Sequence, residues 1–105
     1  MDRVERDGFV AVLYSPGFGA GWYTWNREHL AIVFDPVIVQ LVESEQHDQI
    51  EAYVVSNYGE DIYLGGAGSL SIRWVPIGTR FRIDEYDGSE SVILEEEEEW
   101  IEIDL

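Results

Sequence analysis

The sequence predicts an α+β domain, a mostly antiparallel sheet of about four to six strands with two short helices inserted after the first strand or strands. Three observations carry that prediction. An apolar run near the amino end stops at turn-forming residues, and two helix starts follow in the middle of the chain. The apolar period then switches from about 3.6 residues to about 2 and stays there.

The first eight residues carry five charges and are expected to fray. Phe9-Val10-Ala11-Val12-Leu13-Tyr14 is rich in β-formers, too short for a helix and closed by Ser15-Pro16-Gly17, so it reads as a buried strand. From Gly17 to Asn26, three glycines sit among the aromatics Phe18, Trp22, Tyr23 and Trp25. Glycine at that density permits unusual backbone angles and close approach of other groups, which marks a shaped loop. Leu30-Ala31-Ile32-Val33-Phe34 fits either a short strand or the lead-in to a helix.

Asp35-Pro36 is a strong helix start, with Asp at the N-cap and Pro at the first helical position. Val37/Leu41 and Ile38/Val42 pair four residues apart, which predicts a helix over 36–44. Asp48 with Glu51 three residues on has the pattern of a capping box. Ile50, Tyr53, Val54 and Asn57 or Tyr58 share a face, and Gly59 suits a helix end.

Beyond Gly65-Gly66-Ala67-Gly68, Leu70, Ile72 and Trp74 alternate with Ser71, Arg73 and Val75 up to Pro76. Phe81, Ile83 and Glu85 alternate with Arg80, Arg82 and Asp84 in the next strand. Asp87-Gly88, placed before Ser91-Val92-Ile93-Leu94, is a short-range hairpin signal. These strands are expected to form a meander. The run Glu95–Glu99 would repel itself on a helix and fits an exposed turn or strand edge. Trp100-Ile101-Glu102-Ile103-Asp104-Leu105 alternates and suits a last strand.

A chain of 105 residues fits one domain, 1–105, and 46% hydrophobic residues with four Trp, six Tyr and four Phe supply one core. There is no cysteine, which excludes disulfides and thiolate chemistry. The charged amino end does not read as a secretory signal, and no apolar run approaches the roughly 20 residues of a membrane span. A cytoplasmic location is expected. Twenty-two acids oppose six bases, all Arg, for a net charge of −16. Such a chain repels phosphates and anionic membranes and attracts basic surfaces. Solubility or adaptation to the host is the competing explanation of that charge.

Catalysis finds little support. Neither His29 nor His47 stands in an activation motif, and no serine sits in a nucleophile elbow. Carboxylates are so numerous that acid/base pairs arise by chance. Asp84-Glu85-Tyr86-Asp87-Gly88-Ser89-Glu90 lacks the spacing of a calcium loop and reads as a hairpin turn, so no metal or cofactor is expected. Neither glycine cluster continues as a P-loop. Trp22, Tyr23 and Trp25 suit stacking on a flat ring, and Arg73, Arg80 and Arg82 suit an anion. The plainer expectation is that the tryptophans fill the core and the arginines pair with carboxylates. Direct nucleic-acid binding needs the opposite charge. Carboxylates spaced along strands can instead imitate a phosphate backbone. The candidate face is Glu95, Glu96, Glu97, Glu98, Glu99, Glu102 and Asp104, with Trp100 as an anchor and Glu85, Asp87 and Glu90 as neighbours.

Three segments are familiar as a set: Gly19-Ala20-Gly21-Trp22-Tyr23-Thr24-Trp25-Asn26, Tyr63-Leu64-Gly65-Gly66-Ala67 and Phe81 through Glu90. In order they resemble a group of small phage- and prophage-encoded proteins of uncharacterised function. That resemblance implies an anti-defence context in a host cytoplasm. The expected function is a non-enzymatic inhibitor whose acidic surface docks on a basic, nucleic-acid-binding defence protein. The alternative is a small-molecule binder, a sponge for a nucleotide signal, built from Trp22, Tyr23, Trp25, Arg73, Arg80 and Arg82.

Overall fold

The most apolar segment of the chain takes the centre of a three-stranded antiparallel sheet. In the computed structural model, which describes residues 1–97, Glu5–Arg6 (β1), Phe9–Tyr14 (β2) and Ser71–Pro76 (β3) lie in the order β1-β2-β3. Phe81–Tyr86 (β4) and Ser89–Leu94 (β5) form a separate two-stranded hairpin. Between β2 and β3 come the helices Pro36–Glu43 (α1) and Ile50–Tyr58 (α2), so the domain is α+β.

The amino end is not frayed through Arg6. Asp7 and Gly8 both have positive φ, 51° and 85°, the backbone of a two-residue hairpin turn that favours Asp-Gly. Glu5 pairs with Val10 and Arg6 with Phe9, and the Ala11 N–H donates to the Val4 carbonyl at 3.0 Å. The Arg6 guanidinium grips Glu43 of α1 through two bonds of 2.6 and 2.8 Å and lies 5.1 Å from the Trp74 ring centroid.

α1 starts where Asp35-Pro36 predicts. The Asp35 carboxylate accepts from the Val37 and Ile38 amides at 2.8 and 3.2 Å. α2 begins later than the capping-box reading puts it. His47–Gln49 form a 3-10 turn, and α2 follows from Ile50 with no side-chain cap. Gly59, at φ 97°, ends it. Leu30–Val33, ambiguous in sequence, is a 3-10 turn that feeds Ile32 and Val33 into the interior.

The expected meander is broken between β3 and β4. β3 pairs with β2 along its whole length, from Phe9↔Pro76 to Tyr14↔Ser71, because β2 is buried and needs a full ladder beside it. Gly78, at φ 89°, turns the chain away from β3. The β4–β5 hairpin then packs face-on through Phe81, Ile83, Val92 and Leu94 against Val12, Val33 and Val75. On the other face of β2, Ala11 and Leu13 meet Trp22, Ile32, Ile38, Val39, Ile50 and Val54. Glu95–Glu97 make a 3-10 turn, and the predicted strand at 100–105 lies outside the described residues.

Candidate interaction site

One buried carboxylate organises the glycine-rich loop. Strand alternation turns Glu90 to the same side as Val92 and Leu94, all three buried. There the Glu90 Oε1 accepts from the Ser15 amide at 2.9 Å. Its Oε2 accepts from the Trp22 and Thr24 amides at 3.1 and 2.8 Å and from the Thr24 hydroxyl at 2.7 Å. The backbone of Glu90 adds a bond from its own N–H to the Ser15 carbonyl at 2.7 Å. Glu90 therefore belongs to the interior and not to the acidic exterior expected from sequence.

The other resemblance segments close on the same loop. Asn26, buried, donates its amide to the Trp22 and Tyr63 carbonyls at 2.8 and 3.0 Å and accepts from the Tyr63 N–H at 2.7 Å. A Cβ on Gly66 would overlap the Gly21 carbonyl oxygen, and one on Gly21 would fall 2.6 Å from the Trp25 ring. The Gly19 N–H donates to the Asp87 carbonyl, and a Cβ on Gly88 would fall 2.6 Å from the Ala20 nitrogen. Segments 15–26, 63–69 and 87–90 thus form a single close-packed knot.

That knot carries exposed aromatics. Phe18 is 77% exposed and Tyr86 73%, each one residue from the Gly19–Asp87 bond that joins loop to hairpin. The Tyr63 hydroxyl donates to the Gly19 carbonyl at 3.2 Å, and Trp25 packs on the Tyr63 ring at 4.5 Å between centroids. Asp84, Glu85 and Asp87 are exposed on the hairpin tip. Glu28 and Asp61 line, with Trp25, Arg27 and His29, a hollow of about 370 Å³. The Glu85 carboxylate also accepts from the Gly88 N–H at 2.6 Å and so helps to shape the turn.

The predicted anionic face is divided. Glu95 and Glu96 are exposed, but at the opposite end of β5 from Asp87. A six-residue strand puts roughly 17–20 Å between those ends, so Glu85 and Asp87 do not adjoin Glu95. Glu97 ends the described backbone, and Glu98, Glu99, Trp100, Glu102 and Asp104 lie outside the described residues.

The predicted stacking and cationic residues do not converge as one group. Trp22 is fully buried and its indole N–H donates to the Ile32 carbonyl at 3.2 Å, so it is core and cannot meet a ligand. Trp25 packs at a tilt on Tyr63 and lines a different hollow from Arg80 and Arg82. Arg73 is half-buried and donates to the Val92 carbonyl at 2.6 Å, tying β3 to β5. Arg82 Nε pairs with Asp84 at 2.9 Å, and Arg80 stands 3.7 Å from Glu95. Tyr23 and Arg82 share one hollow, where Arg27, not singled out in sequence, joins them, and Arg80 and Arg82 share another.

A second buried carboxylate lies at the start of α1. Besides its cap bonds, Asp35 accepts from the Tyr53 hydroxyl at 3.0 and 2.8 Å and from the Tyr58 hydroxyl at 2.6 Å. Burial first, and then this carboxylate, push the Tyr53 phenol up to about 12 and the Tyr58 phenol higher still. Both stay protonated donors at neutral pH. His29 meets Tyr58 edge-on at 6.0 Å, and His47 Nε2 lies 2.9 Å from the Leu70 carbonyl. Among the described residues no group of three or more His, Cys, Asp or Glu is placed to hold a metal ion, and no helix is long and apolar enough to cross a membrane.

Comparison with protein-family models, with curated proteins and with solved structures gives no match to this chain.

Proposed function

We propose that the protein is a non-enzymatic binding protein that docks on a basic, nucleic-acid-binding protein surface. The observation that carries this reading is the hairpin tip. Two aromatic side chains lie open to solvent there beside three exposed carboxylates, on a backbone fixed by the Glu90 clamp and the Gly19–Asp87 bond. Large apolar groups left exposed on a rigid, charged support are typical of interaction sites, where aromatics supply the anchor and charge supplies steering. A net charge of −16 selects a cationic partner. Glu95 and Glu96, both exposed, extend the acidity at the far end of the hairpin. The step from binding protein to inhibitor of a host defence complex follows the phage-protein resemblance of the three loop and hairpin segments.

The test is competition. The protein should displace labelled duplex DNA from basic defence nucleases, with an apparent affinity that falls as salt rises. F18A/Y86A/D87N should weaken displacement at all salt concentrations, because it removes the anchors. Gln in place of Glu95 to Glu99 should flatten the salt dependence instead. Displacement unchanged in both variants would remove the proposal.

A further inference from the structure

The hollow between the turn at 23–33 and β4 differs in chemistry from its surroundings. Tyr23, Arg27 and Leu30 form one wall, Phe81, Arg82 and Ile83 the other, around about 290 Å³. Among the described residues no carboxylate lines it, in a chain where acids outnumber bases twenty-two to six. Two of the six arginines are therefore gathered on one apolar trough.

The walls are built, not incidental. Arg27 holds its guanidinium 5.7 Å from the Tyr23 ring centroid, a cation–π placement, and stands between this trough and the hollow lined by Glu28 and Asp61. Phe81 meets Phe34 edge-on at 6.2 Å, which fixes its ring, and Leu30 remains 45% exposed on the opposite lip. Asp84 accepts from the Arg82 Nε at 2.9 Å and from its Nη2 at 3.5 Å, which sets the plane of that guanidinium and which a phosphate would have to share. Phe81 and Arg82 also border a second hollow of about 200 Å³, which adds Arg80 and has Glu95 on its lining. Three arginines thus flank Phe81.

We infer that this cleft binds an organic anion with a flat ring, a mononucleotide in class. The ring lies between Tyr23, Leu30 and Phe81, where aromatic and apolar surface rewards planar contact. The phosphate meets Arg27 and Arg82, whose planar donor forks match its oxygens, with Arg80 beyond them. A volume at the small end of ligand sites suits one nucleotide and not a dinucleotide. The site is separate from the Phe18–Tyr86 tip, and its success or failure is independent of protein docking there.

The experiment titrates the wild-type protein with AMP, GMP, CMP and UMP, with adenosine and inorganic phosphate as half-ligands, by calorimetry and thermal shift. At least one nucleotide should raise the melting temperature in proportion to the logarithm of its concentration, and neither half-ligand should match it. R27Q/R82Q should lose at least tenfold in affinity. F18A/Y86A, outside the cleft, should bind as the wild type does. Ring-proton NMR of the wild-type protein gives a reading that needs no variant: Tyr23 and Phe81 should shift on addition of nucleotide. No binding by any of the four at millimolar concentration, or shifts confined to other residues, overturns the inference.

Discussion

Thr24 meets Glu90 twice, its amide at 2.8 Å and its hydroxyl at 2.7 Å from the same carboxylate oxygen. With the Ser15 and Trp22 amides this makes four donors on one buried carboxyl group that, among the described residues, pairs with no cation. Such donors replace the hydrogen bonds to water that a carboxyl group loses on burial. Replacing Glu90 by Gln turns one acceptor into a donor facing another donor. E90Q should cost about 1–3 kcal/mol and E90A more, since every orphaned donor loses its partner in the interior. Urea unfolding measures both, and an E90A midpoint equal to wild type would mean the clamp contributes nothing.

Glycine substitutions separate crowding from mere flexibility. Gly66→Ala sets a methyl group into the Gly21 carbonyl, whereas Gly68→Ala meets nothing within 4 Å. The first should destabilise by about 1–3 kcal/mol, because backbone must move. The second should lie within about 0.5 kcal/mol of wild type. Thermal melts of the pair decide it.

The Asp35 centre predicts alkaline behaviour. Phenols raised in the folded state contribute stability fully below their unfolded value near 10, lost as pH climbs through the folded value. Tyr53 should therefore ionise at about 12, and Tyr58 above that. Their contribution to stability should decline over that alkaline window, upward from about pH 10. Phenolate absorbance against pH, compared with Y53F and Y58F, assigns the two late transitions.

Removal of the same acid tests its double duty as helix cap and tyrosine acceptor. Asp35→Ala should cost about 2–4 kcal/mol, the sum of a lost cap and hydroxyls left without their partner. Asp35→Asn keeps a capping oxygen and should cost less. Denaturant midpoints for the two variants give the comparison.

Local rules made much of this fold readable. Asp35-Pro36 announces α1, Asp87-Gly88 announces the β4–β5 turn, and the alternation over 71–76 and 81–86 marks strands. Asp7-Gly8 carries the same dipeptide signal as Asp87-Gly88, yet its strand of two residues offers no alternation to read. Asp48 has the residue type of a helix cap, yet it falls inside a 3-10 turn and α2 begins at the buried Ile50.

The site was less legible. Parity along β5 put Glu90 with Val92 and Leu94, a signal that charge count overrode. Trp22 and Trp25 look alike in sequence, but only the fold separates a core indole from an open one. Arg27 gains its setting only from the fold, which lays β4 beside Tyr23. Which pairs meet across long separations is a tertiary outcome that no local pattern encodes.

Ser15 and Glu90 stand 75 positions apart in the chain. Closing so long an interval is entropically slow, so such contacts are expected late in folding. On a ribosome the glycine loop would emerge well ahead of the acid that clasps it. A nascent or truncated chain lacking its final hairpin would have no assembled aromatic tip to offer, so docking competence should arrive together with the finished fold.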